Sequence, residues 1–215
     1  RGSRYRLAGE FIRDIALQSS GLLVSKIGGI SVRPYHPAGL WEEIGFGGEF
    51  SAQTYVQDHG ESLYRRGMYT FWKRTCPPPS LATFDAPERE FCIVRRSVTN
   101  TPLQALVLMN DPTFVEASRK LAERLITEGG SVTKQRIQFA YQTLLSRYAT
   151  PQEVQAIVRV FNNQMSVFRK EPKLAEKLLM VGESKRNDKL DTTELAAWTM
   201  VSSMLLNLDE TLTRN

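Results

Sequence analysis

Cysteine and histidine are scarce in this chain of 215 residues, with two of each. Two cysteines cannot build a disulfide framework. Neither Cys76 nor Cys92 belongs to a Cys-x-x-Cys pair or precedes the histidine that marks covalent haem attachment. One disulfide, if the chain is exported, and two buried thiols are both compatible with them. His36 and His59 stand apart, neither at helical spacing from another strong ligand, so no metal site is expected. No apolar run approaches the roughly 20 residues that span a bilayer, and no charged-then-apolar opening reads as a signal peptide. Serine elbows, phosphate loops and dinucleotide fingerprints are missing. Gly45-Phe46-Gly47-Gly48 has no Lys-Ser or helix signal after it and reads as a loop. Charge of one sign is not concentrated either. The net charge is +5, and residues 1–100 hold thirteen basic against ten acidic side chains. Nucleic-acid binding needs a contiguous basic face, so no nucleic-acid partner is expected. The pairs Arg65-Arg66 and Lys73-Arg74 come nearest and read as solvated or ion-paired. No strand pattern of a quality comparable to the helix signals appears either.

What is present is ordinary globular composition, 41% hydrophobic and 24% charged, and a dense set of helix signals. The run 95–116 writes two helix starts within a dozen residues. Thr101, Pro102 and Gln104 spell a capping box with proline in the first helical position. Asp111-Pro112 repeats the device, with a carboxylate at the positive end of the next helix. Thr150-Pro151-Gln152-Glu153 is a third such box.

Three textures follow one another. Residues 4–24 read as a helix with Leu7, Phe11 and Ile15 at four-residue steps, ended by Gly28-Gly29. Residues 29–100 are rich in Gly, Pro and aromatics. Short helices fit at 38–45 and 62–74, the rest forming an ordered, irregular layer packed on the helices. Residues 101–215 are helical, with apolar faces through Phe114–Leu125, Ile137–Leu145, Val154–Phe168 and a short helix near 172–181. A polar loop at 182–188 precedes a helix begun by Asp191 and Glu194 and buried through Leu195, Trp198, Val201, Leu205 and Leu206. The expected fold is all-α: a helical bundle-like core of 101–215 plus the N-terminal helix, with the irregular layer on its flank, in a single domain over 1–215. The chain opens on Arg1-Gly2-Ser3 and is read as the C-terminal part of a longer protein.

The densest polar and aromatic cluster is Tyr64, Arg65, Arg66, Tyr69, Trp72 and Arg74, followed by Asp85 and Glu88. Rings, arginines and carboxylates could together hold a sugar by stacking and bidentate hydrogen bonds, and two carboxylates could do acid–base work on a glycosidic bond. The competing reading is structural: buried arginines and rings pin irregular segments that lack a backbone ladder. Arg95, Arg96 and Asn100 are the members of the 95–116 run that capping does not explain, and they join the candidate ligand-binding set. No catalytic residue is assigned.

The motifs Gly28-Gly29-x-Ser31-Val32-x-Pro34-Tyr35-x-Pro37, Tyr64-Arg65-Arg66-Gly67-x-Tyr69-Thr70-x-Trp72-Lys73-Arg74, Phe84-Asp85-Ala86-Pro87-x-Arg89-Glu90, Asn100–Leu106, Asn110-Asp111-Pro112 and Leu206–Glu210 occur in fixed order. Together they resemble the C-terminal domain of unknown function of large planctomycete-type cytochrome c proteins. That resemblance implies an upstream haem-binding region and a second uncharacterised domain. It also implies export to the periplasm or cell surface and an association with polysaccharide use. It brings no catalytic residues, and no cofactor is expected in this stretch, haem belonging to the upstream region. Three readings follow: a non-catalytic packing or scaffolding module whose partners are upstream domains of the same polypeptide; a carbohydrate-binding or carbohydrate-processing module; and a polyanion binder driven by net charge.

Overall fold

The structure is a computed structural model that describes residues 4–44 and 54–214; the Gly45–Gly48 loop reading lies outside them. It is predominantly helical, as expected from the sequence. Among the described residues the chain runs β1 (Tyr5–Arg6), α1 (Gly9–Ser20), α2 (Leu40–Ile44), two 3₁₀ turns (Gly60–Tyr64 and Gly67–Tyr69) and α3 (Pro79–Ala82). The helices α4 (Pro102–Asn110), α5 (Pro112–Thr127), α6 (Thr133–Leu145), α7 (Pro151–Lys170), α8 (Pro172–Leu179), α9 (Thr192–Leu206) and α10 (Asp209–Leu212) follow, then β2 (Thr213–Arg214).

Helices α5 and α9 form the axis of the core. Helix α5 packs on α1, α4, α6 and α9, and α9 packs on α7 and α8. Phe114, Ala117, Leu121, Ala122 and Leu125 of α5 are buried, as are Leu195, Trp198, Val201, Leu205 and Leu206 of α9. Trp198 lies 4.7 Å from the Phe161 ring. Beyond Glu194, α9 carries no charge along its length, which is what a helix buried nearly all round requires.

The proline-marked starts hold, with one correction. Asp111 accepts from the Thr113 N–H at 2.9 Å. Thr150 accepts from the Glu153 N–H while Glu153 Oε2 accepts from the Thr150 N–H at 2.7 Å. At Thr101 no side-chain cap forms. Gln104 is buried and donates across to the Thr83 carbonyl (3.0 Å) and Thr99 Oγ1 (3.1 Å). The first turn of α4 is open to water, so its orphan N–H groups need no cap, while the Thr83 carbonyl does need a donor.

Two boundaries and one face also differ from expectation. Helix α1 stops at Ser20, not at Gly28-Gly29, because Gly21 takes the left-handed conformation (φ 78°) and Leu22 donates back to Leu17, closing the helix as a Schellman motif. The buried face of α1 is Ile12, Arg13, Ala16 and Leu17, whereas Phe11 of the expected stripe is 53% exposed. Over 62–74 there is no helix but the two 3₁₀ turns. Neither cysteine is bonded: Cys76 is a buried thiol and Cys92 an exposed one.

The irregular layer packs on α1 and is tied by side chains to main-chain carbonyls. Arg13 Nη1 and Nη2 donate to the Arg65 and Leu63 carbonyls at 2.5 and 2.6 Å. Asp14 accepts from the Gly67 N–H (2.6 Å) and from Arg66. At the other end, β1 and β2 pair antiparallel, Tyr5 opposite Arg214 and Arg6 opposite Thr213. This tiny ladder escapes a period-2 search because two residues cannot show a period.

Arg147 closes the α6–α7 corner by bridging Glu153 (2.7 Å) and Glu210 (2.5 Å). Its hydrogen bonds hold the Glu153 carboxyl at about 2. A depressed acid stabilises the fold above its ordinary value and loses that contribution as pH falls from about 4.5 through about 2. Asp111, pushed up chiefly by burial, acts in the opposite sense and cancels in a mutant difference. Arg147→Met is therefore expected to lower Tm at pH 6, by no more than about 1 kcal/mol equivalent in this water-screened cluster. In thermal unfolding at pH 2 it should lower Tm hardly at all; an undiminished difference at pH 2 contradicts the assignment.

Candidate functional site

The candidate residues read from the sequence do not share one cleft. Tyr64 is buried and donates to Glu116 Oε1 at 2.9 Å. Arg65 is buried under the layer, donating to the carbonyls of Lys26, Gly28 and Ile30, with its guanidinium 3.8 Å from the Tyr69 ring. Arg66 pairs with Asp14 and Arg96 with Glu10. Trp72 donates its indole N–H to the Glu88 carbonyl, and Arg89 lies over one face of its ring at 4.6 Å. Asp85 is taken up by the Thr99 N–H and hydroxyl. Arg74, Glu88, Arg95 and Asn100 are exposed.

Sequence reasoning missed a deeply buried polar knot. Glu116 on α5 is fully buried. It accepts from Tyr35 (2.9 Å), Tyr64 (2.9 Å) and the Ser184 N–H (2.6 Å), with Arg119 Nη2 at 3.7 Å. Arg119, also buried, donates to the Ser184 carbonyl (2.7 Å) and to Glu123 (3.2 Å). The Tyr64 phenol is pushed up to about 12 and Tyr35 is also raised, by burial first and by the Glu116 carboxylate beside them. The 182–188 loop is drawn onto this carboxylate at Gly182, where a Cβ would sit 2.2 Å from Glu116 Cδ and φ is +89°. On α5 these charges sit at helical spacing beside the apolar stripe, the pattern of a solvent face. The Glu116 carboxylate and both Arg119 terminal nitrogens are engaged in holding α5, the layer and the loop together, Arg119 Nε alone of the pair's polar atoms being left without a partner, so the knot reads as structural chemistry. No group of His, Cys, Asp and Glu able to hold a metal exists among the described residues.

Two apolar surfaces stand out as uncovered among the described residues. One begins in 87–100, a segment without a main-chain hydrogen bond to other backbone among the described residues. It carries Phe91 (72% exposed), Ile93, Val94 and Val98, and it runs into α4, whose Leu103 (56%), Leu106 (51%) and Met109 also face outward. Helix α4 has no charged residue, yet only Gln104 and Leu108 on it are buried. The other is an open groove of about 1450 Å³ beside α1, floored by Leu7, Phe11, Ile15 and Leu23. No helix among the described residues is long and apolar enough to cross a membrane.

No curated protein and no solved structure matches the chain. The family model described as "PSD1: Protein of unknown function (DUF1553)" matches residues 1–161, which takes in the irregular layer, α1, α4 to α6 and the first half of α7. The chain belongs to that PSD1 (DUF1553) family of proteins of unknown function.

Proposed function

We propose that this is a non-catalytic docking module whose 91–98 segment and outer α4 face pack against an upstream domain of the same polypeptide. The observation that carries it is α4: a charge-free helix that is apolar on two sides and covered on one. A helix hydrophobic all round belongs inside, and contiguous exposed apolar surface on a soluble protein marks an interaction site. The setting we assign is an exported, periplasmic or cell-surface protein with haem in its upstream region; its support is the resemblance to planctomycete-type cytochrome c proteins. A carbohydrate-facing role is the second reading. The exposure of Glu88 favours it, and the engagement of Asp85 by Thr99 weighs against acid–base work there.

Cys92 reports on the docking face from inside it, and Cys76 serves as a buried reference. In the native full-length polypeptide, Cys92 is expected to react with a maleimide at least about tenfold more slowly than in urea, because docking removes it from solvent. Labelling of native Cys92 as fast as in urea overturns the proposal, since that is the behaviour of an uncovered segment.

A further inference from the structure

The groove beside α1 shares no lining residue with the docking face, and its chemistry is different. Its floor is the very stripe that the helical period marks for burial, Leu7, Phe11 and Ile15, joined by Leu23 and the 90%-exposed Ile27. The floor is thus apolar side chain at i, i+4 and i+8 with no helix among the described residues laid upon it. Four arginines line the groove against one acid, Asp14. Arg66 is matched by Asp14, and Arg124 by Glu128 at 2.8 Å. Arg6 and Arg214, one on each strand of the β1–β2 pair and both lining the groove, make no ion pair among the described residues, and Arg6 Nε is buried without a hydrogen-bond partner.

We infer that this groove receives an amphipathic helix of a separate protein, with leucine-like side chains on one face and carboxylates at the flank that meets Arg6 and Arg214. An apolar channel alone would accept any greasy segment. Two unmatched cations at its edge select for acid, because a basic helix brings like charge to guanidinium groups that cannot deprotonate. The recognition mode is helix-in-groove, with anchors at i, i+3/i+4 and i+7.

The test measures fluorescence anisotropy on the full-length protein with two labelled peptides of about sixteen residues, the length of about four helical turns. They share four leucines on one face and differ only in flanking glutamates or lysines. The glutamate peptide is expected to bind at least about tenfold tighter than the lysine peptide, a preference that 0.5 M salt reduces. Phe11→Asp, at a half-exposed site, should weaken glutamate-peptide binding at least about tenfold. Arg6→Gln with Arg214→Gln, which leaves the floor intact, should bring the two peptides to parity. Equal binding of both peptides to the unaltered protein overturns the inference. So does binding untouched by Phe11→Asp, binding of neither peptide, or adsorption to phosphatidylglycerol vesicles in place of the peptide. Cys92 protection is read in the same samples. Its absence with peptide selectivity intact removes the docking proposal alone, and the reverse removes this one alone.

Discussion

Replacing Glu116 by alanine is expected to destabilise the protein by about 3–5 kcal/mol, the range for removing one member of a buried ion pair. The carboxylate has no water to fall back on. Its loss strands two tyrosine hydroxyls and the Ser184 N–H and leaves Arg119, itself buried, facing only Glu123. Each stranded donor adds about 1–3 kcal/mol of uncompensated desolvation, part of which relaxation returns. Glu116→Gln keeps the shape and one acceptor oxygen and should cost less than alanine. Gly182→Ala should resemble the alanine variant in kind, because its Cβ and the Glu116 carboxyl cannot occupy the same space. Urea unfolding followed by circular dichroism measures all three. An alanine variant within about 1 kcal/mol of the parent, the net worth of an ordinary hydrogen bond, would show that the knot is not what holds the 182–188 loop.

Arg13→Leu is expected to cost about 3 kcal/mol, from two buried carbonyls left unpaired at about 1–3 kcal/mol each, offset in part by the apolar side chain. Desolvation holds the Arg13 guanidinium below its ordinary value, and its two nitrogens reach the carbonyls of residues 63 and 65 at once. Lysine cannot reproduce this, since a single ammonium does not span the fork. The loss should be local before it is global. In hydrogen exchange, the Val24 amide, bonded to the Tyr64 carbonyl at 3.0 Å, should lose protection at low denaturant while amides of α5 and α9 keep theirs. Equal loss in both places would mean that the layer and the helical core unfold as one unit and that Arg13 is not the local tie.

How far the sequence could be read follows from how local each signal is. Thr150 and Asp111 work as caps because a cap involves only residues two or three apart. Thr101 does not, because Gln104 found a better acceptor twenty-one residues away in Thr83. The apolar period of α1 located the helix and misjudged its face, since Phe11 and Ile12 are equally apolar and only the position of α5 decides which is covered. The candidate site suffered most. Tyr64, Arg65 and Arg66 are adjacent in sequence, and side-chain direction sends them to different partners. Tyr64, Arg66 and Arg96 thus become ties from the layer to the helices, while Arg74, Glu88, Arg95 and Asn100 stay exposed.

By itself the sequence determined the all-α class, the proline-marked helix starts, the irregular middle layer and the family, because each rests on local propensity or on motif order along the chain. Only the tertiary structure decided that Glu116, Arg119 and Arg13 are buried, that Leu7, Phe11 and Ile15 floor an open groove, and that α4 is left bare on one side. Burial is a relation between segments distant in the chain, and a period of 3.6 residues marks an apolar stripe without saying whether this chain or a partner covers it.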